Sequence, residues 1–226
     1  MQLLTAQLGL VPYSVALDLQ RDLARRRIAG EIDEDMLLLL EHPPVVTLGR
    51  TAKEAHIVSS PERLRGRGVE VHEVERGGDV TFHGPGQLVG YPIFDLKRHR
   101  KDLHWYLRQV EEALIVALAE VGIDAERNTG YTGVWTRGRK IASIGVHARD
   151  WVTWHGFALN VMTDLSYFDL IVPCGIREVQ MTSVTRELGS ELSMDRMSDI
   201  VARAFGHVFT LEPRDVPHDL LEPARR

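Results

Sequence analysis

Two side chains in this sequence could carry nucleophilic chemistry. Cys174 is the only cysteine among 226 residues, and it lies between Pro173 and Gly175 in the loop-like stretch VPCGI, where a thiol can stand exposed on a rigid turn. Free cysteine is also among the most often buried residue types, so a small apolar role competes with a reactive one. An unperturbed thiol, with a pKa of about 8.5, is mostly protonated at neutral pH, so reactivity needs a cation or base beside it. Lys140 is one candidate. It opens the stretch KIASIG, which otherwise reads as an apolar strand, and it either ends that strand in solvent or points inward. If inward and beside Cys174, two unit charges about 4 Å apart at an effective dielectric near 20 would attract by about 4 kcal/mol, roughly three pKa units before desolvation takes part of it back. The competing arrangement pairs the thiol with His83 or His155 as base. The patterned stretches carry His83, His147 and His155 without any metal-ligand doublet, so no catalytic metal is expected.

The stretch 76–92, RGGDVTFHGPGQLVGYP, is the one around which these groups must be arranged. Gly77 and Gly78 allow a positive φ or close backbone approach. Val80 and Phe82 alternate with Asp79, Thr81 and His83, the period of a strand with one buried face. Gly84, Pro85 and Gly86 force a turn before a second apolar strand, and the plain reading of the whole is a tight β-hairpin. The other reading is a glycine-lined wall beside two strands, suited to a long, thin ligand.

Helical spacing predicts a helix over 12–29, stopped by Gly30, and a longer one over 101–121, stopped by Gly122. Residues 36–40 read as a buried strand, broken by His42, Pro43 and Pro44 and resumed over 45–48. Ser60 and Pro61 mark a short helix start, and Val69, Val71 and Val74 lie in a strand feeding the glycine stretch. Residues 139–148 and 152–162 read as a hairpin with Gly145 and Gly156 inside it, and glycine within a strand marks close approach of a ligand or another backbone. A helical turn over 164–171 and helices near 183–188 and 194–208 follow, and the chain after Pro213 reads as a poorly ordered tail. With no repeat or linker, the expectation is one α+β domain spanning residues 1–226.

Composition narrows the function. Hydrophobic residues make up 44% and charged residues 26%, the proportions of a globular protein able to bury a sizeable core. No apolar run reaches membrane-spanning length, and the N-terminus lacks the basic region and cleavage pattern of a signal peptide, which predicts a cytoplasmic location and no membrane partner. A net charge of −5 argues against nucleic acid as partner. Against that acidic balance, basic runs at Arg21 with 25–27, at Arg63, Arg65 and Arg67, and at 97–101 are either solvated faces or a docking patch for an acidic protein.

Three stretches in fixed order, RGGDVTFHGPGQLVGYPIFDL, GRKIASIGVHARDWVTWHGFALNV and VPCGI, resemble the octanoyltransferases of lipoic-acid biosynthesis, with the likeness running from EHPPVVTLGR at Glu41 to TSVTRELG at Thr182. The resemblance implies the fold of the biotin and lipoate ligases, a mixed β-sheet flanked by helices. It places the nucleophile on Cys174, which would hold octanoate as a thioester, and the activating lysine on Lys140. The substrate wall falls on Arg76, Gly77, Gly78, Asp79, Val80, Thr81, Phe82 and His83, with further acyl contacts at Ser143, Ile144, Gly145, Gly156, Phe157 and Ala158. It implies a ping-pong reaction without cofactor or ATP, an oxyanion held by backbone N–H groups with His83, and a tunnel closed by Val80, Phe82 and the hairpin. The donor would be octanoyl-acyl carrier protein. The acceptors would be lipoyl domains of 2-oxoacid dehydrogenases and the glycine cleavage H protein. The alternatives are an ATP-dependent lipoate or biotin-type ligase and a non-catalytic acyl-binding module of the same fold.

Overall fold

A computed structural model describes residues 1–173, 179–217 and 220–221. The chain begins with β1 (Gln2–Leu10) and α1 (Tyr13–Ala29), which ends where Gly30 turns left-handed and returns its N–H to the Arg26 and Arg27 carbonyls. β2 (Asp35–Glu41) and β3 (Val45–Leu48) follow, then α2 (Pro61–Gly66), with Ser60 Oγ accepting from the Arg63 N–H at 3.3 Å. Next come β4 (Glu70–Glu73), β5 (Val80–His83), β6 (Gln87–Ile93) and α3 (Leu103–Glu120), capped by Asp102 on the Trp105 N–H. β7 (Glu126–Asn128), β8 (Tyr131–Thr136), β9 (Arg139–Arg149) and β10 (Val152–Asn160) precede a 3₁₀ segment at Leu165–Leu170. α4 (Val184–Leu188), α5 (Met194–Phe209) and β11 (Glu212–Asp215) complete the order.

Among the described residues, eight strands form one sheet in the order β11-β1-β2-β6-β10-β9-β8-β7, and three form a smaller sheet, β4-β3-β5. The large sheet is mixed: β1 runs parallel to β11 and β2, and the remaining pairs are antiparallel. Helices cover both faces, which explains why residues 36–40 are apolar at every position. Met36, Leu38 and Leu40 pack with Ala16, Leu23 and Ala24 of α1. Leu37 and Leu39 face the other way, into the core built with Val110 and Leu114 of α3 and Val201 and Phe205 of α5.

Three sequence expectations change. Residues 45–48 do not resume β2; the His42-Pro43-Pro44 break carries the chain into the smaller sheet, where β3 pairs with β4 and β5. The Gly84-Pro85-Gly86 turn does not close a hairpin, because β5 pairs with β3 while β6 returns to the large sheet between β2 and β10. Residues 212–215 are not tail but an edge strand, in parallel register with β1 from Gln2↔Glu212 to Thr5↔Asp215. The β9–β10 hairpin is as expected, and its loop is only Asp150 and Trp151, with φ of 51° and 65°, the pair of left-handed residues that matches the twist of the flanking strands. The two crossings at residues 42–44 and 84–86 leave the small sheet standing against the large one, with the glycine stretch between them.

Candidate active site

The glycine stretch is fastened on both sides. The Gly77 N–H donates to the Val146 carbonyl of β9 at 2.8 Å. The buried Arg76 guanidinium reaches the other way, donating to the Thr47 carbonyl of β3 at 2.7 Å and to Thr47 Oγ1 at 2.9 Å. The glycines inside the hairpin answer to backbone. A Cβ on Gly145 would lie 2.8 Å from the Gly77 carbonyl oxygen, and one on Gly156 would lie 2.1 Å from that of Gly90 on the neighbouring β6. We expect Gly156→Ala to lower unfolding stability by about 1–3 kcal/mol or more, as overpacking does in a rigid interior, and denaturant titration measures it.

Between the two sheets lies a cleft of about 500 Å³. Arg76, Gly77, Gly78, Asp79, Val80, Thr81 and His83 line it from the glycine stretch and β5, Lys140, Ser143, Ile144 and Gly145 from β9, and Gly156, Phe157 and Ala158 from β10. Phe82 is the exception. Its ring packs away from the cleft, stacking on Tyr167 at 4.7 Å and meeting Phe168 edge-on at 5.7 Å. It belongs to the core of the small sheet and does not close the cleft. Cys174 lies outside the described residues.

The structure adds residues that the sequence reading leaves aside: Tyr13 of α1, Tyr91 of β6, Leu103, His104 and Leu107 of α3, and Tyr131 and Thr132 of β8. Tyr13 and Leu107 carry the periodic signal of a core-facing helical residue, which does not separate core from cleft. Leu103 is 39% exposed, more than a core leucine would be.

Lys140 points inward. It is 2% exposed, its Nζ donates to the Thr132 carbonyl at 3.2 Å, and the Trp135 ring centroid is 5.6 Å away. Its backbone is clasped by the segment that follows Cys174: the Lys140 N–H donates to the Gln180 carbonyl at 2.8 Å, and the Thr182 N–H donates to the Lys140 carbonyl at 2.9 Å. On the other side of Cys174, the Val172 N–H donates to the His56 carbonyl at 2.7 Å, and His56 Nδ1 lies 2.8 Å from Asp79 of the glycine stretch. The two ends of the VPCGI region are thus tied to Lys140 and to the cleft wall.

Three histidines near the cleft are buried. His42 Nδ1 lies 2.7 Å from the Val11 carbonyl, which can only accept, so Nδ1 carries the proton and Nε2 accepts from the Tyr91 hydroxyl at 2.7 Å. Burial pushes His42 down to about 4 and Tyr13 up to about 12. His83 is driven down to about 3, first by burial and then by the nearby His42. His155, at φ 54° in the middle of β10, is also lowered by burial; its backbone N–H donates to Gln20 Oε1 at 2.9 Å. Its Nε2 stands 3.8 Å from Glu75, a carboxylate bound by Arg21 at 2.7 Å and by the Trp154 indole at 2.9 Å. Proximity to His155, followed by those two hydrogen bonds, holds Glu75 well below the usual carboxylate range. Burial therefore makes His83 and His155 weaker bases than a free imidazole, which disfavours a cysteine–histidine pair.

The basic runs are largely answered within the chain. Arg27 is buried against Asp35 at 3.4 Å, Lys97 pairs with Asp95 at 3.6 Å, Arg98 donates to the Asp33 carbonyl, and Arg100 pairs with Asp102 at 3.1 Å.

Comparison with known proteins converges on one family. Residues 12–206 match the family model of the lipoyl protein ligase A/B catalytic domain. The chain is 54% identical over 202 residues to an octanoyltransferase of Rubrobacter xylanophilus, covering 88% of this chain and 90% of the relative. It is 49% identical over 210 residues to an octanoyltransferase of Gloeobacter violaceus, covering 90% and 89%. Among solved structures, a bipartite lipoate protein ligase from Thermoplasma acidophilum superposes with a TM-score of 0.74 at 19% identity, over 97% of this chain and 89% of that one. A biotin protein ligase from Aquifex aeolicus superposes with a TM-score of 0.53 at 12% identity, over 92% and 70%. The mixed sheet, its flanking helices and the sequence match carry the same conclusion: the chain belongs to the lipoyl protein ligase A/B catalytic-domain family.

Proposed function

We propose that the chain is an octanoyltransferase that takes an octanoyl group from acyl carrier protein, holds it as a thioester on Cys174, and passes it to the lysine of a lipoyl domain. The observation that carries this reading is the inter-sheet cleft with a buried lysine at its wall and both ends of the cysteine-bearing segment tied to it. Its volume of about 500 Å³ is within the range of small-molecule sites. Relatives at 54% and 49% identity named octanoyltransferase support the same substrate.

The steps balance as a thioester exchange followed by aminolysis. The Cys174 thiolate, favoured by the Lys140 cation, attacks the carrier thioester. The tetrahedral adduct expels the carrier thiolate, which takes its proton from Lys140. The incoming lysine amine attacks the acyl-enzyme, loses a proton to Lys140 and expels the Cys174 thiolate. The narrow glycine wall keeps water from the thioester during the exchange of partners. The working location would be the cytoplasm, and the acceptors would be the lipoyl domains of 2-oxoacid dehydrogenases and the H protein.

The test is transfer without nucleotide. Purified protein, octanoyl-acyl carrier protein and an unmodified lipoyl domain should yield a domain heavier by one octanoyl group in the absence of ATP. A strict requirement for ATP would instead mark a ligase. Binding with no covalent product would mark an acyl-binding module.

A further inference from the structure

A chain of buried side-chain amides runs from the Lys140 strand to the far wall of the cleft. The Thr182 carbonyl accepts from Asn160 Nδ2 at 3.0 Å. Asn160 Oδ1 accepts from Gln87 Nε2 at 2.9 Å, and the same Nε2 donates to the Phe82 carbonyl at 3.2 Å. Gln87 Oε1 lies 2.8 Å from His83 Nδ1. Backbone carbonyls only accept, so Thr182 and Phe82 fix which end of each amide faces which way. Gln87 must therefore present oxygen to the histidine, and Nδ1 of His83 must carry the proton. Its Nε2 is left as a lone pair, and among the described residues no donor reaches it. Thr182, Asn160 and Gln87 are at most 1% exposed, so water does not loosen the arrangement.

An imidazole in this state cannot donate to an oxyanion through Nε2, which removes His83 from the oxyanion role that the family resemblance suggests. Nor does it readily take up a proton: burial and the neighbouring His42, Arg76 and His155 hold it down to about 3, against the one supporting hydrogen bond to Gln87. What remains to it is to accept a hydrogen bond. The octanoyl chain has no donor to offer. The substrate groups that do are the amide N–H of the carrier's thiol arm and the amine of the acceptor lysine.

We propose that His83 Nε2 is a fixed acceptor for a substrate N–H in octanoyl transfer, and that Gln87 and Asn160 are positioning residues that set its tautomer, an inference that rests on the octanoyl-transfer reading. ¹⁵N NMR of the wild type should show His83 as the Nδ1–H tautomer with no titration between pH 5 and pH 8. In single-turnover experiments, His83→Phe should slow one half-reaction about tenfold, the loss of one buried hydrogen bond, and His83→Gln should recover part of it. Slowed formation of the acyl-enzyme assigns the bond to the carrier amide; slowed transfer assigns it to the lysine amine. An Nε2–H tautomer, a titration near 6.5, or both half-reactions unchanged in His83→Phe would overturn the assignment. Equal slowing of both half-reactions, with His83→Gln no better than His83→Phe, would do the same, because it marks packing alone. A wild type that forms no acyl-enzyme refutes octanoyl transfer and leaves the NMR result standing on its own.

Discussion

Cys174→Ala protein mixed with octanoyl carrier protein should keep its own mass, whereas the wild type gains one octanoyl group that neutral hydroxylamine removes. Hydroxylamine cleaves a thioester and spares an amide, so the pair of observations identifies the bond as well as its site. Loss of a covalent nucleophile removes the step itself, and turnover should fall by about four orders of magnitude or more. The expectation rests on chain geometry as well as resemblance. Val172 is bound to the His56 carbonyl, and His56 contacts Asp79 of the cleft wall, while Gln180 and Thr182 bracket the Lys140 backbone. Alanine at position 174 changes none of those backbone bonds, so the variant should fold and unfold like the wild type. An adduct that persists in Cys174→Ala and resists hydroxylamine would point to an amine, and Lys140 would be the first suspect.

Local rules carried the elements well and their assembly less well. Helix ends at Gly30 and Ser60 were legible because capping is a property of a few adjacent residues, whereas α3 starts at Leu103 behind its Asp102 cap, two residues later than the periodicity over 101–121 predicts. The sheet to which a strand belongs is not such a property. Residues 45–48 and 80–83 alternate as any strand does, and nothing in their period says that they leave the large sheet. That omission hid the place of Phe82. The resemblance implies a tunnel closed by Val80 and Phe82, and of the two only Val80 lines the cleft. The small sheet has a core of its own, built with Phe168, Leu170 and Ile171, and Phe82 is drawn into it. Thr81 and His83 line the cleft together with Val80. β11 was hidden for another reason: EPRD is exposed at all four positions and holds its place through backbone pairing with β1, which leaves no side-chain pattern to read. The motif residues of β9 and β10 were legible because their glycines are dictated by close backbone contact, a constraint that sequence displays directly.

Replacing Lys140 should separate its two roles. Lys140→Ala should slow both half-reactions by about two to four orders of magnitude, the span of general acid–base catalysis, with loss of the thiolate-stabilising charge added to it. The alkylation rate of Cys174 against pH should move up towards about 8.5, because removing a nearby cation disfavours the anion and the thiol keeps its proton to higher pH. Lys140→Arg keeps the charge and cannot give up a proton in this range, so it should retain some acylation of Cys174 and transfer octanoate to the lipoyl domain much more slowly. Space is the complication. Lys140 is 2% exposed, and a Cβ added to Gly133 would lie 2.7 Å from its Cε, so fitting a guanidinium requires β8 to move. Chemical rescue avoids that difficulty. A small primary amine such as ethylamine can enter the space vacated in Lys140→Ala and should restore part of the transfer rate, whereas guanidinium at the same concentration should restore acylation alone. The Thr132 carbonyl, which accepts from Nζ in the wild type, gives the returning ammonium a place to bind. If the alkylation profile of Lys140→Ala matches that of the wild type, and ethylamine rescues nothing, Lys140 does not act on Cys174. Its burial would then serve the packing of β8 against β9, and another cation at the cleft, with Arg76 the nearest in sequence to the glycine wall, would have to favour the thiolate.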